Sequence, residues 1–143
     1  MKSARLRFKY RKNASKLHRL VGDILRAHPC LGGYRIYQEY PIPGLKRAWV
    51  DWYIKDINVA IECHGQQHRE AVKFGGRRSD QAKAALESQQ SRDQAKYEAM
   101  VKAGWKVVEV WYDEDITPVS LFERVYNKMT GDQDDPTGPA CKG

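Results

Sequence analysis

The chain has 143 residues, 41% of them apolar and 30% charged, with a mean hydropathy of -0.73. That length suits one globular domain with a modest core, and no apolar run approaches the roughly 20 residues a bilayer span needs. Three widely spaced cysteines, Cys30, Cys63 and Cys141, form no CxxC pair, so neither a disulfide framework nor a zinc knuckle is expected, and a reducing cytoplasmic setting fits. The net charge of +7 is unevenly spread: residues 1–28 hold nine Lys and Arg against the single Asp23, whereas residues 29–128 carry 15 basic and 14 acidic side chains. Such a concentrated basic segment is the footprint of a protein that meets phosphate backbones, with anionic lipid as the rival partner.

From Lys2 to His28 apolar residues recur mostly at helical spacing and stop at Pro29; Ser15 can cap a second helix, so one helix or two fit the pattern. Tyr34 to Ile42 is aromatic and β-branched and predicts a first strand. Ala48 to Ile54 and Asn58 to Cys63 predict two more, joined by a tight hairpin at Lys55-Asp56-Ile57. Residues 64–78 read as an exposed loop or lid. A long helix is expected from Ser79 to Ala103, with Gly104 beyond it, then a buried strand from Trp105 to Trp111 and a final helix from Pro118 to about Met129. Residues 131–143 read as a disordered tail, leaving 1–130 as the single domain. This order predicts an α/β fold of three layers, a mixed central sheet flanked by helices, with an antiparallel hairpin and a helical crossover to a parallel fourth strand.

Some polar residues interrupt these patterns. In strand two Val50, Trp52 and Ile54 are expected on one face and Trp49, Asp51 and Tyr53 on the other. If Ile54 lies opposite Val59, Asp51 lies opposite Glu62, and two facing carboxylates repel unless a proton or a metal ion sits between them. A divalent-metal site is one reading; a slipped register that sends both carboxylates to solvent is the other. In the long helix Leu86, Tyr97, Met100 and Val101 define an apolar stripe that Gln90 and Asp93 interrupt, which marks either a site over the sheet edge, beside Arg92 and Lys96, or an intrahelical contact of Asp93. His64 and His68 bracket Gly65-Gln66-Gln67 after strand three, and either imidazole could accept a proton from water near neutral pH.

Asp51 followed by Glu62-Cys63-His64 resembles the hairpin of the PD-(D/E)xK nucleases, with His64 in the lysine slot. Ile61-Glu62-Cys63-His64-Gly65-Gln66-Gln67-His68, Ser91-Arg92-Asp93 and Ala103-Gly104-Trp105-Lys106-Val107-Val108 with Val110-Trp111 are similar to the very short patch repair endonucleases and the related EDxHD homing endonucleases. The likeness spans roughly residues 15–128. It implies a restriction-endonuclease-like core and a metal-dependent endodeoxyribonuclease using magnesium or manganese, suited to a phage or mobile element. Carried over by position, Asp51 is the principal metal ligand, Glu62 completes the shell, His68 is the general base, His64 contacts the scissile phosphate, and Asp93 supports the histidines or a metal-bound water. The family's first acidic residue lies in the N-terminal helix, where this chain has Lys16 and His18; Glu39 is favoured for that role over Asp23. Gln66-Gln67 replaces the loop aromatics with which the repair enzymes wedge DNA, and their zinc site has no counterpart.

In this scheme Lys9, Arg11, Lys12, Lys16 and Arg19 grip the DNA backbone, Arg77 and Arg78 close over the strand, and Arg92 or Lys96 neutralises the transition state. A non-catalytic nucleic-acid-binding module and a nuclease acting on branched or single-stranded DNA, or on RNA, are the alternatives, and a homodimer or a larger nuclease complex would supply a second active site.

Overall fold

The computed structural model describes residues 9–65 and 79–131. His68, Arg77, Arg78, most of the expected lid and the expected C-terminal tail lie outside them. Helix α1 (Lys16–Ala27) is followed by β1 (Ile36–Pro41), β2 (Trp49–Ile54), β3 (Val59–His64), α2 (Ser79–Lys102), β4 (Lys106–Trp111) and α3 (Pro118–Thr130). The sheet is mixed and open, in the order β1-β2-β3-β4, with the first two pairings antiparallel and β3 parallel to β4 across the α2 crossover. The three-layer α/β arrangement expected from the sequence is therefore present. No helix among the described residues is long and apolar enough to cross a membrane.

Two apolar clusters hold the layers together. Val21, Ile24 and Leu25 of α1 and Leu121 and Val125 of α3 pack on one face with Trp52, Ile54, Val59, Ile61, Val108 and Val110. On the other face Met100 of α2 meets Val50, Tyr53, Ala60, Trp105 and Val107. Val50 and Trp52 thus lie on opposite faces, not on the shared one that strict alternation predicts. The reversal is centred on Glu39, whose left-handed backbone (φ 52°) turns β1 so that Gln38 reaches α1 while Tyr40 stacks on Tyr53. β2 follows because Gln38 pairs with Trp52 and Tyr40 with Val50.

Within the described residues the expected N-terminal helical run is interrupted. Residues 9–15 are not helical, and Ser15 caps α1 by accepting the His18 N–H, which ends the ambiguity between one helix and two in favour of a break. At the far end Thr117 and Ser120 form a reciprocal capping box in front of Pro118. The Lys55–Ile57 link is a single 3-10 turn closed by Asn58 in the left-handed region. Cys63 is a free thiol, whereas Cys30 is disulfide-bonded, which the spacing of the cysteines does not anticipate.

In α2 the inward stripe runs through Ala82, Ala85, Gln89, Asp93, Lys96 and Met100. Tyr97 and Val101, expected inside, are 40% and 50% exposed, and Gln90 is also exposed. A single polar residue in place of an apolar one shifts the apparent phase of a helix stripe, and here both Asp93 and Lys96 belong to the buried side.

Candidate active site

The β2/β3 register pairs Ile54 with Val59, Tyr53 with Ala60 and Trp52 with Ile61, as the facing-carboxylate reading requires. Beyond Trp52 the backbone ladder gives way to side chains. The Asp51 N–H donates to Glu62 Oε1 (3.2 Å), and the Cys63 N–H donates to Asp51 Oδ2 (2.9 Å). Both carboxylates therefore lie between the two strands, where each accepts the amide that regular pairing would have engaged.

The same register extends the row in both directions. Glu39 lies opposite Asp51, between the Gln38–Trp52 and Tyr40–Val50 pairs, and Glu62 pairs with Glu109 of β4. Four carboxylates cross the four-stranded sheet side by side, and each has its own basic partner. Arg11 pairs with Glu39, His18 Nδ1 lies 3.0 Å from Asp51 Oδ1, Lys96 Nζ is 2.9 Å from Glu62 Oε2, and His64 Nε2 is 3.2 Å from Glu109 Oε1. His18 and Lys96 reach the central pair from opposite faces, one from α1 and one from α2.

His18 occupies the inward stripe of α1 with Val21 and Leu25, and it is only 3% exposed. Its Nε2 lies 2.8 Å from Gln38 Oε1, and the Trp52 indole N–H donates to its carbonyl. Gly22 allows this approach: a Cβ there would sit 2.4 Å from the Trp52 ring, so any larger residue would lift α1 off the sheet one turn from His18. On β3 His64 stacks on Trp111, with ring centroids 4.3 Å apart, and its Nδ1 lies 3.9 Å from Asp93 Oδ2. Glu62, His64, Asp93, Glu109 and Trp111 line a cavity of about 250 Å³ under α2, and Asp51, Glu39 and Arg11 line another of about 370 Å³ on the side of β1.

The pKa values of Asp51 and Glu109 are shifted down, and that of Glu62 between them is shifted up. Burial opposes ionisation of Asp51, but His18, the Cys63 amide and Glu62 outweigh it and hold its pKa below the usual value. Burial next to the ionised Asp51 pushes Glu62 up to about 8, with Lys96 opposing. Burial lowers the His18 pKa, yet hydrogen bonds to Asp51 and Gln38 and the charges of Asp51 and Glu39 reverse that, and the net shift is upward. His64 holds Glu109 below its ordinary value. The Cys63 thiol is pushed well up by burial and the two carboxylates and is a poor nucleophile.

The structure thus brings together Asp51, Glu62, His64, Asp93, Glu39 and Lys96, and it separates others from them. Asp23, the alternative first acid, accepts from the Tyr10 hydroxyl (2.7 Å) and pairs with Arg26 instead. Asp93 also accepts from Gln89 Nε2 (3.0 Å), whereas Lys96, which the intrahelical alternative would pair with Asp93 if not Tyr97, reaches Glu62. Arg92 bonds Ser88 and Gln89 along the exposed side of α2, away from the carboxylate row's partners. Arg19 donates to the carbonyls of Arg11 and Lys12 and lies over the Tyr10 ring, so it fastens the N-terminal segment rather than standing free for a ligand. Lys9, Arg11, Lys12 and Lys16 remain exposed. The segment is held beside the site by Gln38, whose amide donates to the Lys9 carbonyl, and by the Arg11–Glu39 pair.

No protein-family model matches this sequence, and no curated protein matches it significantly.

Among the described residues no cluster of three or more His, Cys, Asp or Glu is gathered tightly enough to cage an ion as it stands. The donor chemistry nevertheless suits a hard divalent cation, because Glu39, Asp51 and Glu62 offer carboxylate oxygens and the last two adjoin each other across the hairpin.

Proposed function

We propose that the protein is a metal-dependent endonuclease that hydrolyses DNA phosphodiester bonds at the Asp51–Glu62 end of the hairpin, in the manner of the very short patch repair and EDxHD branch of the PD-(D/E)xK nucleases. The observation that carries this reading is the buried Glu62 carboxylate beside the half-buried Asp51 carboxylate at the open end of an otherwise apolar hairpin, a costly arrangement for stability alone. Asp51, with Glu62 and Glu39 beside it, would hold magnesium or manganese, which supplies charge stabilisation at the phosphate. His18 keeps Asp51 oriented and ionised through its 3.0 Å contact. His64, fixed between Trp111, Glu109 and Asp93, faces the cavity as a phosphate contact, and His68, just past β3, is the proposed acceptor of the water proton. Lys96 carries the positive charge nearest Glu62 and would offset charge developing on the phosphate. Lys9, Arg11, Lys12 and Lys16 position the DNA backbone without reading sequence.

A second reading has one observation in its favour: each carboxylate of the row already has a basic partner within the protein, as a structural network would. A non-catalytic nucleic-acid-binding module follows from that. Incubating supercoiled plasmid with the protein in magnesium, in manganese and in EDTA separates the two. Relaxed or linear product only with metal, lost in the His68→Ala variant, supports the nuclease; a salt-sensitive mobility shift unaffected by EDTA, with no cleavage, supports the binding module.

A further inference from the structure

The chain has four tryptophans, and three of them rest on another ring of the protein: Trp52 on His18 (4.8 Å between centroids), Trp105 on Tyr53 (4.2 Å) and Trp111 on His64 (4.3 Å). Among the described residues Trp49 has no such ring partner, and it is 49% exposed, although it sits on the last rung of the β1/β2 ladder opposite Pro41. Its place is specific, because Trp49 lines the 370 Å³ cavity that also holds Asp51, Glu39 and Arg11.

The loop leading into Trp49 is set firmly. The Ile42 N–H donates to the Ala48 carbonyl (3.0 Å) and the Leu45 N–H to the Ile42 carbonyl, closing the hairpin beneath it. Gly44 and Arg47 both have left-handed backbones, at φ 85° and 54°, and for an arginine that conformation is uncommon. Lys46 and Arg47 are exposed just ahead of the indole, and Arg11 is exposed on the cavity's other side. A flat aromatic surface flanked by cations, next to acids suited to phosphodiester chemistry, combines the two elements that bind single-stranded nucleic acid: a stacking platform and a backbone-tracking positive charge. Bases inside a duplex are already stacked on one another and present no free π-face to an indole at the rim of a cavity, whereas an unpaired base does.

We infer that Trp49, with Lys46 and Arg47, is a stacking platform for an unpaired DNA base beside the Asp51 cavity, so that the substrate class is DNA with a single-stranded or branched segment at the site of cleavage. The inference rests on the proposed nuclease reading for its link to cleavage, but the platform itself is testable without chemistry.

The experiment is fluorescence anisotropy in EDTA with a labelled oligonucleotide of about 16 nucleotides, single-stranded and as the matching duplex, titrated with wild type, Trp49→Ala, Trp49→Phe and a Lys46→Ala/Arg47→Ala variant. Thermal unfolding of each variant is measured alongside. Stacking of one base predicts that Trp49→Ala weakens single-strand binding about tenfold, weakens duplex binding by no more than about twofold, and is largely rescued by Trp49→Phe. The lysine–arginine variant lowers the affinity for both strands and reduces its salt dependence. Equal losses on single strand and duplex, no loss with Trp49→Ala, or no binding of single strands by the wild type would each overturn the platform. A Trp49 effect on single strands from a protein that cleaves nothing in magnesium or manganese would leave the platform standing and remove the nuclease. Metal-dependent plasmid cleavage with equal losses on both strands would do the reverse.

Discussion

The two ends of the β2/β3 hairpin are built from the same strands and spend their residues differently. At the turn, Ile54 and Val59 face each other fully buried, Tyr53 stacks on Trp105, and the Lys106 N–H reaches across to the Asn58 carbonyl. Arg35 clamps Asp56 from outside with two side-chain hydrogen bonds. Three rungs away, backbone pairing stops and Asp51 and Glu62 fill the gap, watched over by His18 and Lys96. The first end buries apolar area and closes a ladder, and both lower the free energy of the fold. The second buries Glu62 and half-buries Asp51, which the fold tolerates because bases from both layers reach them. A sheet that could have continued its apolar rungs holds charge instead, and on the proposed reading that is the end where the chemistry takes place.

The comparison breaks most visibly at the turn. Ile54→Ala removes a fully buried side chain and is expected to cost about 2–5 kcal/mol in chemical denaturation, while any activity per folded molecule stays unchanged. A smaller cost accompanied by lost activity would mean that the two ends are not separable.

At the open end the expected sign is opposite and depends on pH. Glu62 titrates near 8 in the folded chain against about 4.5 unfolded, so between those values the folded state holds a proton that the unfolded state has released. Stability therefore falls as pH rises through that window, by up to about 1 kcal/mol per pH unit, and Glu62→Gln should flatten the slope and raise the unfolding midpoint at pH 8. His18, with its raised pKa, adds a loss of stability in the same direction above its unfolded value near 6.5. A wild-type stability that rises from pH 5 to 8 would contradict the assignment.

Gly22→Ala sharpens the comparison from the helix side. The added methyl meets the Trp52 ring and the Tyr10 hydroxyl, so a cost of about 1–3 kcal/mol is expected, together with a change in the His18 ring resonances as α1 lifts. Unaltered histidine spectra would show that the helix does not set His18. The smallest effect belongs to Ser15→Ala, which removes the cap of α1 and should lower stability by about 1 kcal/mol in thermal or urea unfolding.

Much of this division is readable in the amino-acid order. The hairpin register follows from placing Ile54 against Val59, and it carries Asp51 to Glu62 without further assumption. From β1 onward the helix and strand bounds are legible to within a few residues because Pro118, Gly104 and the Lys55–Ile57 link punctuate them, whereas the start of α1 is marked only by Ser15. Strict alternation fails at Glu39, where one left-handed residue reverses the faces of two strands, and no pattern of polar and apolar residues marks that conformation. His18 is visible only as a polar residue in the apolar stripe of α1, and Glu109 as a carboxylate among the valines of β4; each needs a partner from another layer to acquire a meaning. Local spacing cannot supply those partners, because contacts across layers depend on how closely the helices sit, and Gly22 sets one of those distances.

The most direct test of the division pairs two readouts on one preparation of Asp51→Ala: plasmid cleavage in magnesium and the thermal midpoint. The account requires cleavage to fall at least about a hundredfold at a temperature where the variant is still folded, although the midpoint drops because buried His18 and the Cys63 amide lose their carboxylate partner. Cleavage that persists in the folded variant would contradict the claim that this end of the hairpin is kept for chemistry.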